Sequence, residues 1–229
     1  MKNPITLVRK EFAKIPKHIA ITLDDPSETI DECKFKKELV INIINQQILL
    51  KIPMLSILLL SQEAILNEKT FNEEIKNLEE LLYVVLKKAQ EQRIRVNVFG
   101  NWHKLPDNTT EIIKKIVKET VDYNDFFLNL CINYDSKEEI VDSCKLIIKR
   151  IMSGKLSAEM IDKSTIKDNL YSSSIIEPEL IIKTGSPEIP NFFVWDFVGA
   201  IVYFTKKHWR NFSKRDFFNA IKFYNIYKK

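Results

Sequence analysis

The feature that most constrains this chain is a regular alternation of short, almost wholly apolar runs with longer amphipathic stretches. The runs occupy residues 18–23, 55–60, 94–99, 127–132 and 180–182, with a weaker sixth at 201–204. They lack the strict apolar–polar alternation of a half-exposed strand, so they read as strands covered on both faces. The intervening segments 32–49, 71–92, 110–121, 137–151 and 214–227 have helical patterns. Leu39, Ile43 and Ile44 mark one face of the first; Ile75, Leu78, Leu82 and Val85 mark the second; Ile112, Ile113, Ile116 and Val117 mark the third. Asn108 and Ser213 stand where helix caps are expected. Strand–helix–strand repetition implies one α/β domain over residues 1–229, with a central, mainly parallel six-stranded sheet flanked by helices. The polar segment 164–174 reads as a surface connection, because a single strand after it could not form a domain alone. Ligands of such sheets bind at the carboxyl ends of the strands.

Composition then excludes several functions. The formal net charge of +4 favours an anionic ligand or surface slightly and is far too small for a nucleic-acid partner. Only four glycines occur, Gly100, Gly154, Gly185 and Gly199, and no glycine-rich phosphate loop can be built from them. Cys33, Cys131 and Cys144 show neither CxxC spacing nor an even disulfide set; Cys131 and Cys144 read as small core residues in a reducing compartment. His18, His103 and His208 have no ligand-like spacing, and His103 reads as loop surface. The apolar region around residues 48–60 is broken by Lys51, Pro53 and Ser56, so no membrane span is expected. The N-terminus lacks a signal-peptide stretch, and the expected location is cytoplasmic, with peripheral membrane contact as the alternative.

Four segments in order carry a resemblance. Residues 15–24 (IPKHIAITLD) end in Asp24, residues 94–106 read IRVNVFGNWHKLP, and residues 129–140 read NLCINYDSKEEI. A closing region, 177–212, contains PELIIKTG, NFFVW and YFT. Together they resemble the cis-prenyltransferases, the family of undecaprenyl and dehydrodolichyl diphosphate synthases. The resemblance implies that family's fold, polyprenyl diphosphate synthesis from isopentenyl diphosphate and an allylic diphosphate, and Mg²⁺ dependence. It implies Asp24 as the metal-binding residue; a strand-end residue capping the next helix is the alternative. It places Ser61, Glu63, Asn133 and Lys183 at substrate-binding positions, against structural readings of helix-end hydrogen bonding for Glu63 and turn chemistry for Asn133.

The departures point to lost catalysis. Asp24 is followed by Asp25-Pro26-Ser27-Glu28-Thr29 where the catalytic pattern has Gly-Asn-Gly-Arg-Trp. Proline removes an amide donor, and two acids repel a diphosphate. Ser61-Gln62-Glu63-Ala64-Ile65 keeps the serine and glutamate of Ser-Thr-Glu-Asn-Trp but not its asparagine and tryptophan. Lys183-Thr184-Gly185-Ser186-Pro187-Glu188-Ile189-Pro190 keeps one cation of the family's paired arginines, and Ile201 stands in place of a metal-binding glutamate. These losses are similar to those of the Nogo-B receptor type, the non-catalytic subunit of heteromeric cis-prenyltransferases, although that branch ends in Arg-x-Gly and this sequence in Tyr227-Lys228-Lys229. The expected role is a non-catalytic or weakly catalytic subunit whose Mg²⁺ is held mainly by a catalytic partner chain; a divergent, active homodimer is the alternative. The aromatic-rich C-terminal region suggests the partner surface, with Trp195, Tyr203, Trp209, Phe217 and Phe218 as its anchors and core packing as the competing reading.

Overall fold

The computed structural model describes residues 12–23, 36–66, 68–185, 187–189 and 191–228. Its centre is a six-stranded sheet of β1 (His18–Thr22), β2 (Met54–Ser61), β3 (Ile94–Phe99), β4 (Phe126–Tyr134), β5 (Leu180–Thr184) and β6 (Ile201–Thr205). The order across the sheet is β3-β4-β2-β1-β5-β6, and every pairing is parallel. The helices are α1 (Lys36–Leu50), α2 (Gln62–Ile65), α3 (Phe71–Gln92), α4 (Asp107–Thr120), α5 (Ser136–Met152), α6 (Lys163–Lys167) and α7 (Lys214–Tyr227). No helix among the described residues is long and apolar enough to cross a membrane.

The two faces of the sheet are covered differently. Ile19, Ile21, Ile57, Leu59, Leu128, Leu130 and Ile182 join one large cluster with the inward residues of α1, α3, α4 and α7. The opposite face is thinner: Ala20, Met54, Leu58, Cys131 and Ile181 pack against Ile175, Phe192 and Phe193 from the segments before β5 and β6. α4 also closes the outer edge of the sheet, where Thr120 Oγ1 accepts from the Val96 amide at 3.1 Å. That hydroxyl satisfies an edge donor which would otherwise need water or another strand.

Some local expectations change. Asn108 lies inside α4, whose N-cap is Pro106, and its amide donates instead to Glu79 at 2.7 Å. Ser213 does cap α7, in a reciprocal box with Asp216. Residues 164–174 are not a plain surface connection. Asp162 and Thr165 form a capping box that starts α6, and Leu170 and Ser172 are buried. Cys131 is buried as expected, but Cys144 is exposed on α5. Cys33 lies outside the described residues.

Candidate functional site: the carboxyl edge of the sheet

From β1 the chain passes to β2, and from β5 it passes to β6 on the other side. The connections therefore diverge between β1 and β5, and such a divergence opens a crevice at the carboxyl ends of the strands. Asp24, which follows β1 there, lies outside the described residues, as does the loop at 25–29. Beside that position, Thr22 and Lys183 are register partners on one face of the sheet. Thr184 Oγ1 donates to the Thr22 carbonyl at 2.9 Å, locking the two strand ends together. Thr22 Oγ1 is buried and makes no hydrogen bond within the described structure. Lys183 is half-buried, and its Nζ donates to the Thr184 carbonyl at 2.9 Å.

Ser61 ends β2 and spends its hydroxyl on a helix cap, accepting from the Ala64 amide at 3.1 Å. Glu63 sits in the first turn of α2, exposed to solvent, where its charge complements the helix N-terminus. At the other side of the edge, Asn133 and Asn101 clasp the ends of β4 and β3. The Asn101 amide donates to the Asn133 carbonyl, and Asn133 Nδ2 donates to the Asn101 carbonyl, both at 2.9 Å. Asn133 adopts φ 49°, a left-handed conformation that asparagine tolerates. Its Oδ1 is buried and unpartnered among the described residues. Turn chemistry thus accounts for this residue's backbone, while its free acceptor still faces the interior. Ser61, Asn133 and Lys183 all lie along the one edge, and Glu63 stands just beyond it.

Behind the edge, on the thinner face, lies an ionisable cluster for which the sequence gave no pattern. Tyr134 at the end of β4 donates to Glu139 of α5, and the Ser172 amide donates to the same carboxylate at 3.0 Å. Lys167 of α6 pairs with the fully buried Asp196 at 2.7 Å. Ser136 Oγ accepts from the Val194 amide at 3.1 Å, and the Tyr134 hydroxyl accepts from the Phe193 amide at 3.3 Å. These bonds pin residues 191–196 against the start of α5. Burial raises the Glu139 carboxyl above its ordinary range, opposed by its bonds from Tyr134 and Ser172. Burial likewise pushes the Tyr134 hydroxyl well up, with the Glu139 charge adding to it. The partners here are 29 or more residues apart in the chain, so no short motif announces them.

A polar ladder crosses the same face. Asn97 donates to Asn129 at 2.8 Å, Asn129 to Ser56 at 2.9 Å, and Ser56 meets His18 Nε2 at 2.7 Å. His18 Nδ1 contacts the Ile176 carbonyl at 2.6 Å. A carbonyl only accepts, so Nδ1 carries the proton and Nε2 accepts from Ser56. Burial lowers the His18 pKa to about 4.

Two expectations fail here. Trp209 and Phe217 are about 1% exposed and belong to the large apolar cluster, because this C-terminal segment is what covers β1, β5 and β6 on that face. They cannot serve as partner anchors. Trp195, Tyr203 and Phe218 are half-buried; Tyr203 packs on Phe223 and Phe218 on Phe12. Ile201 begins β6 opposite Leu180, at the amino edge of the sheet. The Thr22–Lys183 pair lies about 10 Å away along the strands, so position 201 cannot share a metal with Asp24 within one chain. Among the described residues no group of three or more His, Cys, Asp or Glu could hold a metal, so they alone do not make a magnesium site.

Comparison with known proteins decides the family. A family profile described as "Putative undecaprenyl diphosphate synthase" matches residues 34–229. The chain belongs to the cis-prenyltransferase family. A tritrans,polycis-undecaprenyl-diphosphate synthase (geranylgeranyl-diphosphate specific) from Thermoplasma volcanium is 35% identical over 135 residues, 58% of this chain and 52% of that protein. The isoprenyl transferase of Halalkalibacterium halodurans is 28% identical over 92% of this chain and 86% of its own length. The matches to the first of these relatives span about half of each relative's length. Lavandulyl diphosphate synthase from Lavandula x intermedia, solved with dimethylallyl diphosphate, superposes with a TM-score of 0.86 at 23% identity, over 92% of this chain and 95% of that one. At that identity the likeness is one of fold, and the six-stranded parallel sheet is the cis-prenyltransferase sheet.

Proposed function

We propose that this cis-prenyltransferase chain is a non-catalytic or weakly catalytic subunit of an assembly that makes polyprenyl diphosphate. The observation that carries the reading is the poverty of the β1–β5 crevice in diphosphate donors. Lys183 is the cation offered there by the strand ends, and its ammonium is turned onto its neighbour's carbonyl. The sequence adds Asp25, Pro26 and Glu28 on the other side, two negative charges and a missing amide where a diphosphate needs donors. Stabilising a leaving diphosphate normally supplies a large share of such a rate. In this reading the allylic substrate and most Mg²⁺ ligands reside on a catalytic partner of the same family, and Asp24 adds at most one ligand.

A second reading, a divergent active homodimer using Asp24, Ser61, Glu63, Asn133 and Lys183, draws on the relatives named as isoprenyl transferases. Incorporation of labelled isopentenyl diphosphate separates the two. The purified chain with Mg²⁺ and an allylic diphosphate is expected to stay at background, and addition of a catalytic relative from the same organism to raise turnover above that relative alone. Robust Mg²⁺-dependent turnover by this chain alone would establish the second reading instead.

A further inference from the structure

α5 has two faces of opposite purpose. Ser136, Glu139, Ser143 and Ile147 are buried against the protein. On the far side, at 100° per residue, lie Val141, Cys144, Ile148 and Met152, all exposed; Val141, Ile148 and Met152 show 44%, 54% and 83% of their surface. Their spacing of three, four and four residues is that of a seam between packed helices, not of a solvated face. No side chain of the buried network described above belongs to this stripe.

The charges beside the stripe say what fits it. One flank carries Glu138 and Asp142 in its first half and Lys145 and Lys149 in its second. Lys145 lies 2.9 Å from Asp142 and 3.5 Å from Glu138, which places these groups on a common flank. A parallel copy would set like charge on like charge. An antiparallel copy sets the acidic half of each helix against the basic half of the other, and opposes the two helix dipoles favourably. Such a contact is self-complementary, as a two-fold interface requires.

We propose that a second copy of this chain docks antiparallel on the outer face of α5 about a two-fold axis, with Val141, Cys144, Ile148 and Met152 as the seam. The assignment does not depend on whether the chain turns over substrate.

Light scattering and sedimentation equilibrium of the whole chain at micromolar concentrations test it. The wild type is expected to be a dimer. Ile148→Glu is expected to be monomeric with an unchanged melting temperature, because Ile148 is already exposed in the single chain. Glu138→Lys and Lys149→Glu each place like charges across the two-fold, so each should dimerise roughly tenfold more weakly, and their equimolar mixture should recover wild-type affinity as a heterodimer. A wild type that stays monomeric, an Ile148→Glu protein as dimeric as wild type, or a mixture that fails to recover would each overturn the proposal. A monomer that assembles only with a catalytic relative would give the stripe to that partner and overturn self-pairing as well. Turnover is not read, so failure here leaves the proposed function standing.

Discussion

Gly100 fixes the geometry of the β3–β4 end of the site edge. Its φ is 107°, and a Cβ placed there would lie 2.4 Å from the Ile132 carbonyl and 2.9 Å from that of Asn133. Both obstacles are backbone of an adjacent strand, so no side-chain shift relieves them. Gly100→Ala is therefore expected to cost on the order of 3 kcal/mol and to spring the Asn101–Asn133 clasp. Urea unfolding measures the cost, and a loss below about 1 kcal/mol would mean that the strand ends can separate freely. His18 makes a pH prediction at the same scale. Its folded pKa of about 4 lies below the ordinary 6.5, so between these values the unfolded chain takes up a proton that the folded chain refuses. Stability is full above pH 6.5 and falls as pH drops towards 4, by about 3 kcal/mol if the whole shift is expressed. The raised carboxyl of Glu139 works the other way, relieving its cost as pH falls, and so offsets part of the loss. His18→Gln should be less stable at pH 7 yet show a flatter pH profile in urea melts between pH 7 and 4.5. A variant with the wild-type slope would assign the acid sensitivity elsewhere.

At the scale of elements, the sheet was legible because its strands are buried on both faces and therefore read as unbroken apolar runs. β1, β3 and β5 begin where the pattern put them, and β2 and β4 extend one or two residues further. Helix ends were legible only where a side chain commits to the cap, as Ser213 does with Asp216. Asn108 misled because its side chain answers to Glu79 on a different helix, a contact outside any local window. The aromatic C-terminus misled for a related reason. Aromatic content says that a segment buries area, not whether against its own sheet or another chain. Here Trp209 is buried beside β5 and α7, and Phe217 lies on the inward face of α7. Trp209→Ala and Phe217→Ala are accordingly expected to cost about 3–5 kcal/mol each and to lower the melting temperature sharply. A near-native melting temperature, with assembly lost, would return these rings to an interface.

For the whole molecule, the sheet decides which distant substitutions can restore chemistry. Ser61, Asn133 and Lys183 were legible as edge residues because each follows or ends an apolar run. Position 201 was not, because its place depends on which end of β6 it occupies. Parallel pairing with β5 puts Ile201 level with Leu180 and leaves Lys183 and Thr184 opposite Phe204 and Thr205. A carboxylate introduced at 201 would thus sit at the amino edge, beside the apolar cluster that Ile201 partly lines. Ile201→Glu is expected to lower stability by about 1–2 kcal/mol through desolvation of a half-buried acid. It should leave isopentenyl diphosphate incorporation at background, since one chain cannot carry that carboxylate to the crevice and residues 25–29 still bring no donors. Activity and urea stability measured on the same preparation check both halves. If Ile201→Glu instead produced Mg²⁺-dependent turnover, the amino end of β6 would have to reach a metal site on another chain, and the crevice between β1 and β5 would no longer be the whole of the site.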